Sequence, residues 1–561
     1  MSRRGSRWRA TGVIVAALIV AGSSSLTSAS TPASDNARTL VLSLPGPFNG
    51  CTFLGPDANP TSDAILDLVR PSAFQTTASG NLVGSQGSIT SAELTSLSPE
   101  TVVYTIAAKQ HWSNHQPFDG RDLVAWWRRA RSIPSVLSDG YRAIKSMKLS
   151  NAALTVTATF AYPYADWNLL FRDVESRLTP GGCTFRDLLS RPSLGPYRLV
   201  SANASTMVLE MNRSWPSSSS RFGRIVIEAN ASMPANVTTT FARYTLTVDR
   251  AQVGALSAHP SVLSHIGSAS SIEELFFNAH RPLTSALAVR EALSWSLDRL
   301  AMISSLWGQV TFSPSPGASA LYSQGSPFYP GSPGQAPSES STTSTTVVAT
   351  PSAPVSLADC FPCAVRALRS AGYVRGPLGW VTPQGLPLSI RLVKGPSALD
   401  AATAAAIVRS WAALGVSTYV VTASSEAAAA MSLAFNDADV ALFDRPTNSA
   451  PSFSASSWSG PLYSDSYPSG LRLSVLNQLY STAMNTFNPV TARTTWSTYD
   501  KTLLDAFWVR PLFTPPSLVE WSPQLQGVSG SASVPGFVDE VPTWNTIIPP
   551  PSSSLAMGGI G

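Results

Sequence analysis

Charge is the scarcest commodity in this 561-residue sequence. Only 13% of residues are Asp, Glu, Lys or Arg, about half the roughly 25% usual in soluble domains. The formal charge is +5, but Arg3, Arg4, Arg7 and Arg9 supply four of those charges, and removing them leaves +1. A nearly neutral body has no basic footprint for nucleic acid. Histidine is also rare, at five residues: 111, 115, 259, 265 and 280. G-x-S-x-G, S-x-x-K, H-E-x-x-H and a phosphate-binding glycine loop are all missing, so nothing positive supports an exported hydrolase. An acidic pair for glycoside cleavage is defined by separation in space, which a sequence does not display. His111 and His115 have the i, i+4 spacing of a helical metal pair. They flank Trp112-Ser113-Asn114, however, with Pro117 close behind, which reads as a turn. No apolar run reaches the roughly 20 residues of a membrane-spanning helix. What is present is aromatic: 15 Trp, 14 Tyr and 21 Phe. That content and the length imply several packed cores.

The first 29 residues read as a secretory signal. A basic stretch from Met1 to Arg9 precedes the apolar run Gly12 to Ala21, and Thr27-Ser28-Ala29 supplies a small-residue cleavage site. Ser23 follows Leu18-Ile19-Val20-Ala21-Gly22 where a lipoprotein would carry Cys, so no lipid anchor is expected. The alternative is an uncleaved membrane anchor. Ser2-Arg3-Arg4 only hints at a twin-arginine signal, because Ser6 stands where a bulky apolar residue belongs. The protein is therefore expected outside the membrane: extracellular, on the cell surface or periplasmic.

Four cysteines, Cys51, Cys183, Cys360 and Cys363, allow three pairings. Cys360-Phe361-Pro362-Cys363 is a redox motif, a zinc half-site or a local bridge. A zinc site needs a second ligand pair, and a thioredoxin-like site needs a preceding strand in a βαβ unit. Neither is evident, and the adopted reading is two structural disulfides, 360–363 and 51–183. No metal or other cofactor is expected.

Periodicity gives a mixed α/β order. Strands are expected over 39–44, 101–107, 154–160, 224–228, 274–278, 388–393, 416–421, 440–443 and 510–513, the last taken as the final strand. A hairpin is expected over 197–211. Helices are expected over 119–131, 285–306, 363–371 and 400–414, with two more near 470–486 and 490–508. Asp119 is the N-cap of the first helix, and Trp126 and Trp127 belong to its core stripe. In the second, Val289, Leu293, Leu297 and Leu300 share a face. Gly372 and Gly415 end the next two. Residues 313–356 are so rich in Ser, Pro, Gly, Thr and Ala that they read as a surface insertion unable to order itself. The tail from 546 reads as disordered.

Five stretches in this order carry a family resemblance. Val103-Tyr104-Thr105-Ile106 leads to Trp112-Ser113-Asn114-His115-Gln116-Pro117 and then Asp119-Gly120-Arg121-Asp122-Leu123. Leu194-Gly195-Pro196-Tyr197-Arg198-Leu199 opens a hairpin closed near Asn212. Phe276-Phe277-Asn278 precedes Val289-Arg290-Glu291-Ala292-Leu293 and Leu297-Asp298-Arg299. Ala367-Leu368-Arg369-Ser370-Ala371-Gly372-Tyr373 ends a helix. Arg510-Pro511-Leu512-Phe513 forms a late strand. Together they resemble the bacterial extracellular solute-binding proteins of family 5, the peptide- and nickel-binding class that serves ABC importers. The motifs build scaffold. Asn114 and His115 replace the family's Asp-Gly turn, and both residue types tolerate left-handed backbone.

The resemblance implies a periplasmic-binding-protein type II-like fold, with two α/β lobes, a hinge and an additional domain on the first lobe. The implied division is lobe I over 36–58, the additional domain over 59–177, lobe I again over 178–275, lobe II over 276–504, and a return to lobe I over 505–545. It implies a monomer that is not an enzyme. A small ligand, by default a peptide, binds between the lobes and passes to a membrane permease with its ATPase. In peptide-binding members an aspartate holds the peptide's amino terminus. The matching stretch here is Asp439 to Pro451, about one residue short, with Asn448 near the aspartate's place. Asp444 is the alternative carboxylate, Arg445 a candidate for a carboxylate or phosphate, and Phe443 and Trp458 candidate cleft walls. The competing reading pairs Asp444 with Arg445 and leaves Phe443 in the core. A degenerate binding protein acting as sensor or scaffold is the alternative function.

Overall fold

The computed structural model describes residues 39–546, apart from 51–59, 134–137, 216–221, 233–239, 257–261, 309–313, 331–356, 460–472 and a few isolated residues. The signal, the tail, Cys51 and Cys183 lie outside the described residues.

Three sheets organise the chain. A seven-stranded sheet forms lobe I, in the order Leu263–Ser268, Pro516–Trp521, Phe241–Thr245, Thr39–Leu44, Arg224–Ala229, Thr206–Met211, Tyr197–Ala202. Thr39–Leu44 runs parallel to both of its neighbours. A five-stranded sheet forms lobe II, in the order Ser417–Thr422, Ser389–Lys394, Val440–Pro446, Ser271–Phe277, Val509–Phe513. Ser389–Lys394 is parallel to both neighbours, and each is reached through a helix. A four-stranded antiparallel sheet, Ile89–Leu97, Glu100–Ile106, Thr155–Phe160 and Ile144–Leu149, makes the additional domain with helix Gly120–Ala130. The chain thus has two α/β lobes with an extra domain. It crosses between lobes at 268–271 and again at 513–516.

Local chemistry explains most element ends. Asp119 caps the first long helix with a capping box that includes Asp122. His115 takes φ +65° in the turn before it. Trp126 and Trp127 are buried, and their indole nitrogens donate to Tyr141 Oη at 3.1 Å and to its carbonyl at 2.9 Å. Arg290 donates to the carbonyls of Thr284 and Ser285 at 2.9 and 2.8 Å. Its guanidinium lies 3.6 Å from the ring centroid of Trp508. Arg299 ties the helix to Gly317 and Pro511 carbonyls at 2.7 and 3.0 Å. Gly415 takes φ +93° past helix Ala398–Leu414, where a side chain is strained.

Four expectations are corrected. The helix expected over 285–306 is two, Leu287–Trp295 and Arg299–Trp307. Asp298 restarts it by accepting the Ala301 amide at 2.9 Å, which turns Leu300 outward to 65% exposure while Val289, Leu293 and Leu297 stay buried. The strand at 510–513 is not the last, because Pro516–Trp521 follows it back into lobe I. Helix Glu426–Ala434 was not foreseen, since its alanine-rich run has no apolar period. Finally, the described residues of 314–330 are packed despite the composition: Ala320, Leu321, Tyr322 and Tyr329 are buried, and Asp500 accepts the Ala320 amide at 2.9 Å. A few apolar side chains with a buried acceptor outweigh the surrounding Ser and Pro.

Candidate functional site

The strand pair Ser271–Phe277 and Val440–Pro446 lies next to the first crossing and carries every candidate from the sequence except Asn448 and Trp458. Side chains alternate across a strand. Glu273 therefore pairs in register with Asp444 on one face, and Glu274 with Phe443 on the other.

On the second face, Glu274 is fully buried and ion-paired with Arg445, which is itself 6% exposed. Arg445 also donates to the Ala320 carbonyl and stands 4.9 Å from the ring centroid of Trp458. Burial raises the Glu274 carboxyl to about 7 even though Arg445 pulls it down. Asp500 beneath is raised to about 6, again chiefly by burial. Phe276 stacks on Phe443 at 4.6 Å and on Trp458 at 5.8 Å, with interplanar angles of 10° and 13°. Phe443, Arg445 and Trp458 thus lie in the buried core behind the sheet. Arg445 pairs with Glu274 and not with Asp444, because residues 444 and 445 point to opposite faces. Asn448 is half-buried, and its Oδ1 accepts the Ala450 amide at 2.8 Å, closing a turn.

The first face gathers acids from four elements. Asp444 is half-buried and its carboxyl is pushed to about 6, mainly by burial. Its charge reaches the Tyr244 hydroxyl on the lobe I sheet. Asp400, at the N-terminus of helix Ala398–Leu414, accepts the Ser397 amide at 2.8 Å. Glu426 opens helix Glu426–Ala434, and burial followed by Asp400 raises it to about 8. Glu273, fully buried, is raised well above the usual carboxylate range by burial and then by Asp400. Both helix N-termini stand at the carboxyl ends of parallel strands, where ligands of open α/β sheets bind.

The profile of the bacterial extracellular solute-binding proteins, family 5 (middle region), matches residues 90–469. The chain belongs to that family. The family 5 body is matched almost end to end by the solved periplasmic EDTA-binding protein EppA, which covers 91% of this chain and 96% of its own at 17% identity and a TM-score of 0.76. At that identity the likeness concerns fold. Among curated relatives from Mycobacterium tuberculosis, the probable monoacyl phosphatidylinositol tetramannoside-binding protein LpqW is 31% identical over 140 residues. The oligopeptide-binding protein OppA is 28% identical over 220 residues. The matches span 22% and 36% of this chain and the same shares of those proteins, well short of their full length.

Of these four acids the sequence reading named Asp444 as a ligand candidate and did not name Glu273, Asp400 or Glu426. The available signal was Gly395-Pro396-Ser397 after a strand, with Asp400 three residues beyond the Ser cap: a helix start at a strand's carboxyl end. Cys360 and Cys363 meet at an S–S distance of 1.91 Å at the start of helix Phe361–Ser370. Among the described residues no group of His, Cys, Asp or Glu has the geometry to hold a metal ion. None of their helices is long and apolar enough to cross a membrane.

Proposed function

We propose that this family 5 protein is exported by its N-terminal signal, captures a small solute between its two lobes without breaking a bond, and delivers it to an ABC permease and ATPase as a monomer. The observation that carries the reading is the pair of crossings at 268–271 and 513–516 beneath a cluster of ionisable groups shared by strand and helix ends. Two connections of this kind suit hinge closure over a ligand. The additional domain is assigned to 59–177. The Cys360–Cys363 pair is taken as oxidised in an exporting environment.

The ligand class proposed by default is a peptide, supported by the likeness to the oligopeptide-binding protein. Asp444 then becomes the carboxylate available to it, while Phe443, Arg445 and Trp458 act as buried support. One observation favours a second reading, a degenerate binding protein acting as sensor or scaffold. Asn448 is neutral and spends its oxygen on a turn, while Arg445 is already engaged by Glu274.

The test is mass spectrometry of small molecules released on denaturing the purified mature protein. A defined molecule at near-stoichiometric yield supports import and names the class. An empty protein that also ignores a peptide library in calorimetry overturns capture and favours the sensor.

A further inference from the structure

Solute capture leaves the Cys360–Cys363 bridge without a task. The two cysteines are three residues apart, and a disulfide stabilises less the shorter the loop it closes. The segment around it is also held by other means. The Cys360 amide donates to the Trp295 carbonyl at 2.8 Å. Asp359, next to it, accepts Arg299 Nε at 2.9 Å and the Arg299 amide at 3.1 Å, and is ion-paired with the buried Arg510. Ala364 and Leu368 bury the inner side of helix Phe361–Ser370. Pro362 stands in its first turn, where the missing N–H leaves no bond unmade. With these anchors in place the bridge adds little as a staple.

Its surroundings favour a thiolate on either sulfur. Cys360 is the N-cap of the helix, and its Sγ accepts the Cys363 amide at 3.2 Å. The Arg366 guanidinium reaches Cys363 Sγ at 3.5 Å from one turn further on. Of the acids nearby, Asp359 is already engaged by two guanidiniums, and Glu291, on the adjoining helix Leu287–Trp295, is countered by Arg290. A helix N-terminus and an arginine both lower a thiol's pKa, and a thiol of lower pKa leaves a disulfide faster. Access is present as well. Both cysteines are half-buried, and between them Phe361 is 40% exposed and Pro362 is exposed. The chain reaches this helix from other helices and not from a strand of a βαβ unit. The pair therefore suits a substrate of exchange and not an oxidoreductase centre.

We propose that Cys360–Cys363 is a reversible thiol–disulfide exchange site, opened in the folded protein by an external dithiol. One thiolate of the dithiol attacks Cys360 Sγ at the cap. A bond forms between those two sulfurs, the Cys360–Cys363 bond breaks, and its electron pair leaves on Cys363 Sγ beside Arg366. The dithiol's second sulfur, as thiolate, then attacks its own first sulfur and releases Cys360 as a thiolate at the helix N-terminus. The dithiol gives up two electrons and two protons and becomes a disulfide. The bridge takes the electrons and, once protonated, is a pair of thiols. The anchors around Asp359 and Cys360 keep both cysteines in place, so oxidation re-forms the same bridge. The site is independent of which solute the lobes capture.

The test is differential alkylation with peptide mass spectrometry on the folded mature protein, treated with dithiothreitol or with reduced thioredoxin. Peptide mapping separates this pair from Cys51 and Cys183. Both Cys360 and Cys363 are expected to take label within minutes while the protein keeps its cooperative melting transition. Alkylation rate against pH is expected to give the reduced pair a first apparent pKa about one unit below the ordinary 8.5. Arg366→Gln, at an exposed position, raises that value and slows opening about threefold per unit gained. Arg366→Lys keeps the charge and retains most of the rate. Cys360→Ser/Cys363→Ser folds and melts cooperatively, as the independent anchors require. Labelling that appears only when urea unfolds the whole protein makes the bridge a staple and overturns the proposal. So does an apparent pKa of 8.5 or higher, an opening rate unchanged by Arg366→Gln, or a double serine variant that fails to fold. A solute recovered in the released-molecule experiment bears on capture alone.

Discussion

The two faces of one strand pair treat their acids in opposite ways. Behind the sheet, Glu274 is matched by Arg445, and Arg445 is boxed in by Trp458 and the Ala320 carbonyl. In front, Glu273 sits one residue away with no hydrogen-bond donor on its carboxyl among the described residues. Both acids are fully buried and their backbones are adjacent. The difference therefore lies in what packs against each face. The rear face meets an ordered insertion and an aromatic stack. The front face meets two helix N-termini, whose partial positive charge favours acids without pairing them. The rear face is neutralised by the chain's own guanidinium, and the front face carries carboxyls held above their usual range.

Breaking the matched face has the largest expected effect. Arg445→Met leaves Glu274 buried alone and is expected to cost about 3–5 kcal/mol in urea unfolding at pH 8. The cost shrinks at pH 5, where the Glu274 carboxyl, raised to about 7 even in the pair, takes a proton. Adding Glu274→Gln recovers part of the loss. A single-variant cost under 1 kcal/mol at pH 8 erases the contrast between the faces. Phe276→Ala removes the ring stacked on Phe443 and Trp458, with an expected loss of about 3 kcal/mol or more by the same measurement.

The front face responds differently. Gly395→Ala drives a methyl group into the Glu426 and Asp400 carboxyls. It is expected to cost about 1–3 kcal/mol as overpacking, read by thermal melting. Glu273→Gln has the smallest and most informative effect. Acids with raised values stabilise the fold fully below their unfolded values near pH 4. That stability declines as pH rises and is lost through the folded values of about 6 for Asp444 and about 8 for Glu426. Wild-type melting is therefore expected to drop between pH 5 and 8. Glu273→Gln flattens the drop and gains about 1–2 kcal/mol at pH 8. A flat wild-type profile contradicts a proton-holding array.

Much of the fold was legible in the chain. Strand 39–44 is found as read, and helix 119–131 differs at its ends only by whether the caps are counted. Asp119, Gly372 and Gly415 act locally, within a turn of where they stand. One error came where a distant contact overrode composition. Ala320 and Tyr322 order a Ser/Pro-rich stretch because Asp500, 180 residues away, accepts a backbone amide there. The candidate site was legible only in part. Asp444 was named through the family pattern and lies on the acid-rich face, whereas Phe443 and Trp458, offered as cleft walls, and Arg445, offered for a carboxylate or phosphate, are buried behind the sheet.

By itself the sequence determined the local grammar: alternating strands and helices, their caps, their order and the family they spell. Those features depend on backbone geometry and side chains a few residues apart. Only the tertiary structure decided which charges meet. Glu274 finds Arg445 across 171 residues. The front array joins acids from positions 273, 400, 426 and 444, whose distances to one another are set by sheet register and helix placement. Electrostatic energy falls with distance in space and with access to water. Spacing along the chain encodes neither, so one acid of an adjacent pair met a guanidinium and the other met a second carboxyl.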